Sequence, residues 1–307
     1  MCNGLNFKTM STLEKTSKTE SKHKLLRVSG SEAVILSLLE EKVDTIFGYP
    51  GGAIMPIYDA LYNYQDELNH ILVRHEQGAV HAAQGYARVS GKVGVCFATS
   101  GPGATNLITG IADAQIDSTP LVCITGQVPA HLLGTDAFQE TDVLGISMPV
   151  TKWNFQVTRT EEIPEAIAKA FYIAKTGRPG PVLIDITKNA QFGEIDFKYA
   201  PCEKIRSYHP YPSTHSKQIE EAAELINNAK KPYILAGHGV LISGAEKELL
   251  KLAEKGGIPV ASTLLGLSCF PPDHELYVGY LGMHGNYGPN VLTNECDVLI
   301  AIGMRFD

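Results

Sequence analysis

With 307 residues, 44% of them hydrophobic and 19% charged, the chain can bury the cores of two ordinary domains and is not a disordered polypeptide. A formal net charge of −7 argues against nucleic acid as the main partner, and no apolar run is long enough to span a membrane. The cysteines (Cys2, Cys96, Cys123, Cys202, Cys269 and Cys296) form no Cys-x-x-Cys and flank no zinc-spaced histidine pair, so no metal site is expected and a reduced, cytoplasmic protein is the simpler reading.

Residues 1–24 are polar and rich in Ser, Thr and Lys, without the apolar core of a secretory signal, and read as a disordered tail reaching to residue 27. Glu14, Glu20 and the missing arginines count against a transit peptide, and Met10 is an alternative start. Ser29-Gly-Ser-Glu32 resembles a capping box before a helix over 33–40. A strand over 45–47 runs into Gly48-Tyr-Pro-Gly-Gly-Ala53, followed by a helix over 55–64. The apolar run 71–73 reads as a buried strand, and Gln77 to Val89 as a helix. Strand 93–98, loop Thr99-Ser-Gly-Pro-Gly103, helix 104–114, strand 121–125 and loop Gly126-Gln-Val-Pro129 continue the alternation. Helix 163–175 and strand 182–186 close this half. Such alternation implies right-handed βαβ crossovers and a parallel sheet. Residues 191–214, with Pro201, Pro210 and Pro212 among polar residues, suit a linker. A second α/β unit over 215–307 follows: helix 218–228, strand 233–236, loop Gly237-His-Gly-Val240, helix 245–254, strand 260–262, a long loop over 263–288, and strand 298–302. With so few strands it reads as an incomplete doubly wound domain.

The stretch around Glu76 organises the first half. Glu76 stands where a strand hands over to a helix, the edge at which open α/β sheets bind ligands. Set among Gly78, Ala79 and other small residues, its carboxylate would be partly desolvated, and its proton affinity would rise unless a cationic or N–H partner met it. A plain first-turn carboxylate on the helix dipole is the alternative. The three loops rich in Gly and Pro, Tyr49-Pro-Gly-Gly52, Ser100-Gly-Pro-Gly103 and Gly126-Gln-Val-Pro129, could line one crevice with it or be tight turns without a ligand. Gly237-His-Gly239 could hold a diphosphate at a helix start. His75, His81, His238 and His284 are acid/base groups by type, with packed or surface histidines as the default.

Taken together, Phe47-Gly-Tyr-Pro-Gly-Gly52, Arg74-His-Glu-Gln-Gly-Ala79, Ser100-Gly-Pro-Gly-Ala-Thr-Asn106 and Thr125-Gly-Gln-Val128 resemble the pyrimidine-binding domain of thiamine-diphosphate enzymes. Gly134-Thr-Asp-Ala-Phe-Gln-Glu140, Val150-Thr-Lys-Trp-Asn154, Gly177-Arg-Pro-Gly-Pro-Val182, Leu281-Gly-Met-His-Gly285 and Ala301-Ile-Gly-Met-Arg-Phe-Asp307 are similar to the large, catalytic subunits of the acetohydroxyacid (acetolactate) synthase family. The fold so implied is α/β: a parallel-sheet pyrimidine-binding domain over 28–190, then a Rossmann-like, FAD-binding-type middle domain over 215–307.

The resemblance also implies roles. The residue matching Glu76 hydrogen-bonds N1′ of the cofactor's aminopyrimidine and promotes formation of the reactive ylide. Gly52, Gln127 and Lys152 match positions at or near the reacting centre, though Lys152 also reads as a solvated surface lysine. Pro50, Pro102 and Asn106 match the pyrimidine-side loops, and Phe138 and Gln139 the substrate approach. Arg178, Gly237, Gly239, Thr263, Leu264, Met283, His284 and Arg305 match FAD contacts or the substrate channel, with Arg305 also selecting the second 2-oxoacid through its carboxylate. The implied reaction decarboxylates pyruvate and ligates the resulting hydroxyethyl carbanion to pyruvate or 2-oxobutyrate, opening valine and isoleucine synthesis. A homodimer or homotetramer and a small regulatory subunit are implied as well. The family's C-terminal domain, which binds Mg²⁺ and the cofactor's diphosphate, has no match here, so the chain reads as an N-terminal portion whose own activity is in doubt. Other carboligases or decarboxylases on this scaffold, a non-catalytic assembly module, and a nicotinamide-dependent dehydrogenase resting on the glycine loops alone are the competing readings.

Overall fold

The computed structural model describes residues 26–306. Most of the expected N-terminal tail, the alternative start at Met10, and Asp307 lie outside the described residues. The chain divides into two units, the first ending at Pro210 and the second beginning at Tyr211.

In the first unit the elements are β1 (Leu26–Ser29), α1 (Gly30–Glu40), β2 (Thr45–Gly48), α2 (Met55–Leu61), β3 (Asn69–Leu72), α3 (Glu76–Ser90), β4 (Gly94–Ala98) and α4 (Pro102–Asp117). They continue through β5 (Leu121–Gln127), α5 (Val143–Ser147), β6 (Trp153–Val157), α6 (Ile163–Lys175), β7 (Pro181–Thr187), α7 (Lys188–Phe192) and β8 (Glu194–Phe197). Among the described residues, six strands pair in parallel in the order β3-β2-β4-β5-β7-β6. The central strands β4, β5 and β7 are buried along their whole length, which is why they read as near-continuous apolar runs. One face carries α1, α2 and α6 over a core of Val34, Ile35, Leu38, Ile57, Ile167 and Phe171. The other carries α3 and α4 over Val80, Ala83, Leu107 and Ile111. These two helices approach closely, since a Cβ on Gly110 would fall 2.1 Å from Val80 Cγ1. Cys96 and Cys123 are register partners in this second core, their thiols 3.3 Å apart and wholly buried.

Chain order in this sheet runs outward from β2 to β3, then crosses to β4 on the other side of β2. The loops after β2 and β4 therefore part at a topological switch point, the usual site of a ligand crevice in such sheets.

Several expectations need correction. The strand expected to be buried over 71–73 is β3, an edge strand: Ile71 is 41% and Leu72 63% exposed because no strand covers its outer side. Gly126 and Gln127 belong to β5 rather than to a loop, extended by pairing with Ile186 and Thr187 of β7. The expected linker over 191–214 is ordered at its start, where β8 pairs antiparallel with β1. Ser29 does cap α1, accepting from the Glu32 amide.

The second unit contains α8 (Ser216–Asn228), β9 (Pro232–Ala236), α9 (His238–Ser243), α10 (Glu246–Gly256), β10 (Val260–Ser262), β11 (Tyr277–Tyr280), α11 (Tyr287–Glu295) and β12 (Val298–Ile302). Its sheet is parallel in the order β11-β10-β9-β12. It too has a switch point, between β9 and β12. Gly239 and Val240 lie in α9, not in a loop, and the loop expected over 263–288 holds β11, which gains its pairing from β10. Among the described residues no helix is long and apolar enough to cross a membrane.

Candidate functional site

At the first switch point the backbone is shaped around one carboxylate. His75 ends the extended segment and caps α3, its Nδ1 accepting from the Gln77 amide at 3.1 Å. Glu76, the next residue, is only 8% exposed. Its Oε2 accepts from Asn106 Nδ2 at 2.9 Å, so an N–H partner does meet it. Asn106 stands just over one turn into α4, and the close α3–α4 packing brings that turn against the start of α3. Pro102 opens α4, where its missing N–H costs nothing. Glycine is required at 103, because a Cβ there would lie 3.3 Å from Glu76 Oε1 and 2.8 Å from the Thr99 methyl.

The loop after β2 is pinned by its neighbours. The Ala53 amide donates to Thr99 Oγ1 at 3.2 Å, and Gln191 Nε2 donates to the Ala53 carbonyl at 2.8 Å. A Cβ on Gly51 would fall 2.5 Å from the Thr99 side chain, and one on Gly126 2.5 Å from the Ala53 carbonyl oxygen. Gly52 differs: it is exposed, and a Cβ there would meet nothing within 4 Å. Pro50, beside it, is half-buried. Most glycines of these loops thus serve close internal packing, and Gly52 is the one whose surroundings leave room for another molecule.

Phe138 is 87% exposed, and Gln139 is exposed with a left-handed φ of 57°. The Gln139 carbonyl oxygen would sit 2.5 Å from a Cβ on Gly101, so the turn carrying both residues rests on the Ser100–Gly103 loop.

Three sequence-predicted residues do not present their side chains to this edge. Gln127 is fully buried, its amide donating to Asp185 Oδ2 at 2.9 Å and to the Thr141 carbonyl at 3.2 Å while its oxygen accepts from the Val128 amide. Its side chain serves the interior because β5 is central and covered on both faces. Lys152 lies at the opposite edge of the sheet, where its amide donates to Pro181, the first residue of β7. Its ammonium donates to the carbonyls of Ile173 and Thr176 and to Tyr208 Oη, closing the C-terminus of α6, and burial pushes its pKa down. Arg178 is placed likewise at the amino edge: Nε donates to Ser118 Oγ, and Nη2 to the carbonyls of Gln115 and Ile116 at the end of α4.

Sequence reasoning also passed over two residues. Asp185 is a wholly buried carboxylate accepting from Thr125 Oγ1, Gln127 Nε2 and Gln156 Nε2. Lys188 follows the carboxyl end of β7, and its Nζ donates to the Gly52 carbonyl at 3.3 Å. Its position just beyond the strand expected over 182–186 was the available signal, because strand-end residues on a parallel sheet share one edge.

In the second unit the predicted residues fall after the carboxyl ends of the strands. Gly237 caps α9, and its amide donates to the Ile302 carbonyl. Gly239 donates to the Gly303 carbonyl at 2.7 Å, and a Cβ on it would meet Gly303 Cα at 2.6 Å, so these glycines are needed for the approach of α9 to the end of β12. Thr263 Oγ1 accepts from the Gly266 amide, Leu264 is exposed, and Met283 is 94% exposed. His284 is exposed, and its carbonyl accepts from Tyr280 Oη; Arg305 follows β12. Of the other histidines singled out, His81 Nδ1 is 3.2 Å from Gln84 Nε2, and His238 begins α9. Among the described residues no group of three or more His, Cys, Asp or Glu could hold a metal ion.

Comparison with known families matches residues 28–146 to the thiamine pyrophosphate enzyme, N-terminal TPP binding domain, and residues 219–307 to the thiamine pyrophosphate enzyme, central domain. A protein of Methanocaldococcus jannaschii named probable acetolactate synthase large subunit is 57% identical over 282 residues, 91% of this chain and 47% of its own length. The acetolactate synthase large subunit of Corynebacterium glutamicum is 55% identical over 92% of this chain and 45% of its own. An acetolactate synthase of Mycobacterium bovis is 52% identical over 92% of this chain and 46% of its own. The chain spans about half the length of these curated relatives.

Proposed function

The chain belongs to the thiamine pyrophosphate enzymes, and from that premise we propose that it acts as the large, catalytic subunit of an acetolactate synthase. In this reading it decarboxylates pyruvate and joins the two-carbon unit to pyruvate or 2-oxobutyrate, at the head of branched-chain amino-acid synthesis. The observation that carries it is the buried Glu76 carboxylate, held by Asn106 at the switch point and bounded by Gly103.

The residues suit thiamine diphosphate. Glu76 offers a fixed acceptor for the N1′ proton of an aminopyrimidine and can hold that proton, while Asn106 orients Oε2. Pro50 and Pro102 stiffen the two flanking loops, and Gly52 leaves space beside the Lys188 ammonium, a cation suited to a 2-oxoacid carboxylate. Phe138 and Gln139, exposed on their turn, line the approach. When bound, thiamine diphosphate supplies the electron sink for decarboxylation. We assign Mg²⁺ and the diphosphate contacts to the part of the relatives' length with which this chain does not align.

In the second unit we assign FAD to the carboxyl edge formed by Gly237, Gly239, Thr263, Leu264, Met283 and His284, at the switch point between β9 and β12. The planar fork of Arg305, after β12, suits a 2-oxoacid carboxylate. A cytoplasmic homodimer or homotetramer joined by a small regulatory subunit completes the reading; the free thiols of the described cysteines fit that compartment.

Incubation of the enzyme with pyruvate, thiamine diphosphate, Mg²⁺ and FAD should yield acetolactate by NMR, and Glu76→Gln should lower the rate by about a hundredfold or more. Turnover of glyoxylate instead of pyruvate, or a requirement for phosphate, would overturn the assignment.

A further inference from the structure

Glu140 ends the turn that bears Phe138 and Gln139, and its carboxylate points back into that turn. Oε1 accepts from the Gly134 amide, and Oε2 accepts from the amides of Thr135 at 3.2 Å and Ala137 at 3.1 Å. The Asp136 amide contributes to the same grouping. Successive backbone N–H groups converging on one anion form a concave cradle, and here the chain supplies the anion itself. The Glu140 amide closes the turn by donating to the Ala137 carbonyl at 2.8 Å.

The turn needs such a hold. Asp136 has φ 56° and Gln139 φ 57°, left-handed conformations that residues with a side chain adopt at a cost. Phe138 is 87% exposed, so apolar packing does not fix it. The backbone set by Glu140 instead places the Gln139 carbonyl against Gly101, in the loop whose Gly103 bounds Glu76.

We propose that Glu140 is the positioning residue for Phe138 and Gln139: by gathering the amides of residues 134–137 it seats their turn on the Ser100–Gly103 loop and fixes the wall that an incoming 2-oxoacid meets. The functional half of this inference rests on the carboligase reading.

Hydrogen–deuterium exchange on the purified chain reads the clasp directly. In Glu140→Gln the amides of residues 134–137 should exchange about tenfold faster or more, and those of Gly101 and Gly103 should loosen with them, while β4 and β5 keep their protection. In the active enzyme the same variant should raise KM for pyruvate about fivefold with kcat within about twofold, leaving thiamine diphosphate affinity in place. Unchanged exchange over 134–137 would overturn the clasp, and faster exchange with an unmoved KM would overturn the positioning role. Absence of acetolactate from the unsubstituted enzyme would count against the carboligase reading alone, and exchange at Gly101 and Gly103 would still decide whether Glu140 seats the turn.

Discussion

Replacing Asp185 probes the buried polar cluster that ties β5, β6 and β7 together next to the site. The carboxylate is wholly buried and accepts from Thr125 Oγ1 at 2.6 Å, Gln127 Nε2 at 2.9 Å and Gln156 Nε2 at 2.9 Å. In Asp185→Ala the Gln156 amide, half-buried, can turn to water, whereas the buried Thr125 hydroxyl and one N–H of the buried Gln127 amide, whose other bond goes to the Thr141 carbonyl, stay stranded. Two stranded donors cost about 1–3 kcal/mol each, and relief of the carboxylate's own desolvation offsets part of that, giving a net loss of about 2–4 kcal/mol. Asp185→Asn keeps one acceptor and should lose less. Urea unfolding followed by fluorescence of Trp153, the single tryptophan and a residue of β6, reports on this unit. Burial pushes the Asp185 carboxyl above its ordinary value, against the pull of its three donors. A group that binds its proton more tightly when folded contributes its stability fully below the unfolded pKa of about 3.9 and loses it as the pH rises through the folded value. The unsubstituted protein should therefore give up stability relative to Asp185→Asn as the pH rises above about 4. A loss under about 0.5 kcal/mol in the alanine variant, or a pH-independent gap to the asparagine variant, would refute the argument.

Gly126→Ala, forced against the Ala53 backbone, should cost about 2 kcal/mol, whereas Gly52→Ala should unfold within about 0.5 kcal/mol of the parent and show its effect in cofactor or substrate titrations. Lys152→Met should lower the unfolding free energy by about 1–3 kcal/mol through its lost carbonyl and Tyr208 bonds; an unmoved midpoint with abolished turnover would restore Lys152 to the chemistry. Lys92 and Tyr86 hold the Asp44 carboxyl down at about 2, so its contribution is present above the unfolded pKa and fades as the pH falls through that value. The pair is half-exposed, so the advantage over Asp44→Asn at pH 5 should be at most about 1 kcal/mol, shrinking in urea titrations run toward pH 2.5. Asn106→Ala should leave Glu76 without its amide donor, weakening thiamine diphosphate binding in a fluorescence titration more than it shifts the urea midpoint.

Local chemistry written along the chain was enough for much of this protein. Alternating apolar runs and glycine turns specified two parallel α/β units; Ser29 marked a helix start, and Glu76 announced a carboxylate at a strand-to-helix handover. Those signals are local because turn geometry, capping and periodicity involve residues a few positions apart. Strand order is not local, and only the tertiary structure decided it. It left β3 at an edge with Leu72 exposed, although the same apolar run would have been buried one strand further in. It also turned Gln127 inward to Asp185, 58 residues away, sent Lys152 to the amino edge of the sheet, and brought Lys188 beside Gly52 across 136 residues. A side chain's type limits what it can do, but its partner depends on which strand lies beside it, and that is fixed by packing the whole sheet between its two helical layers.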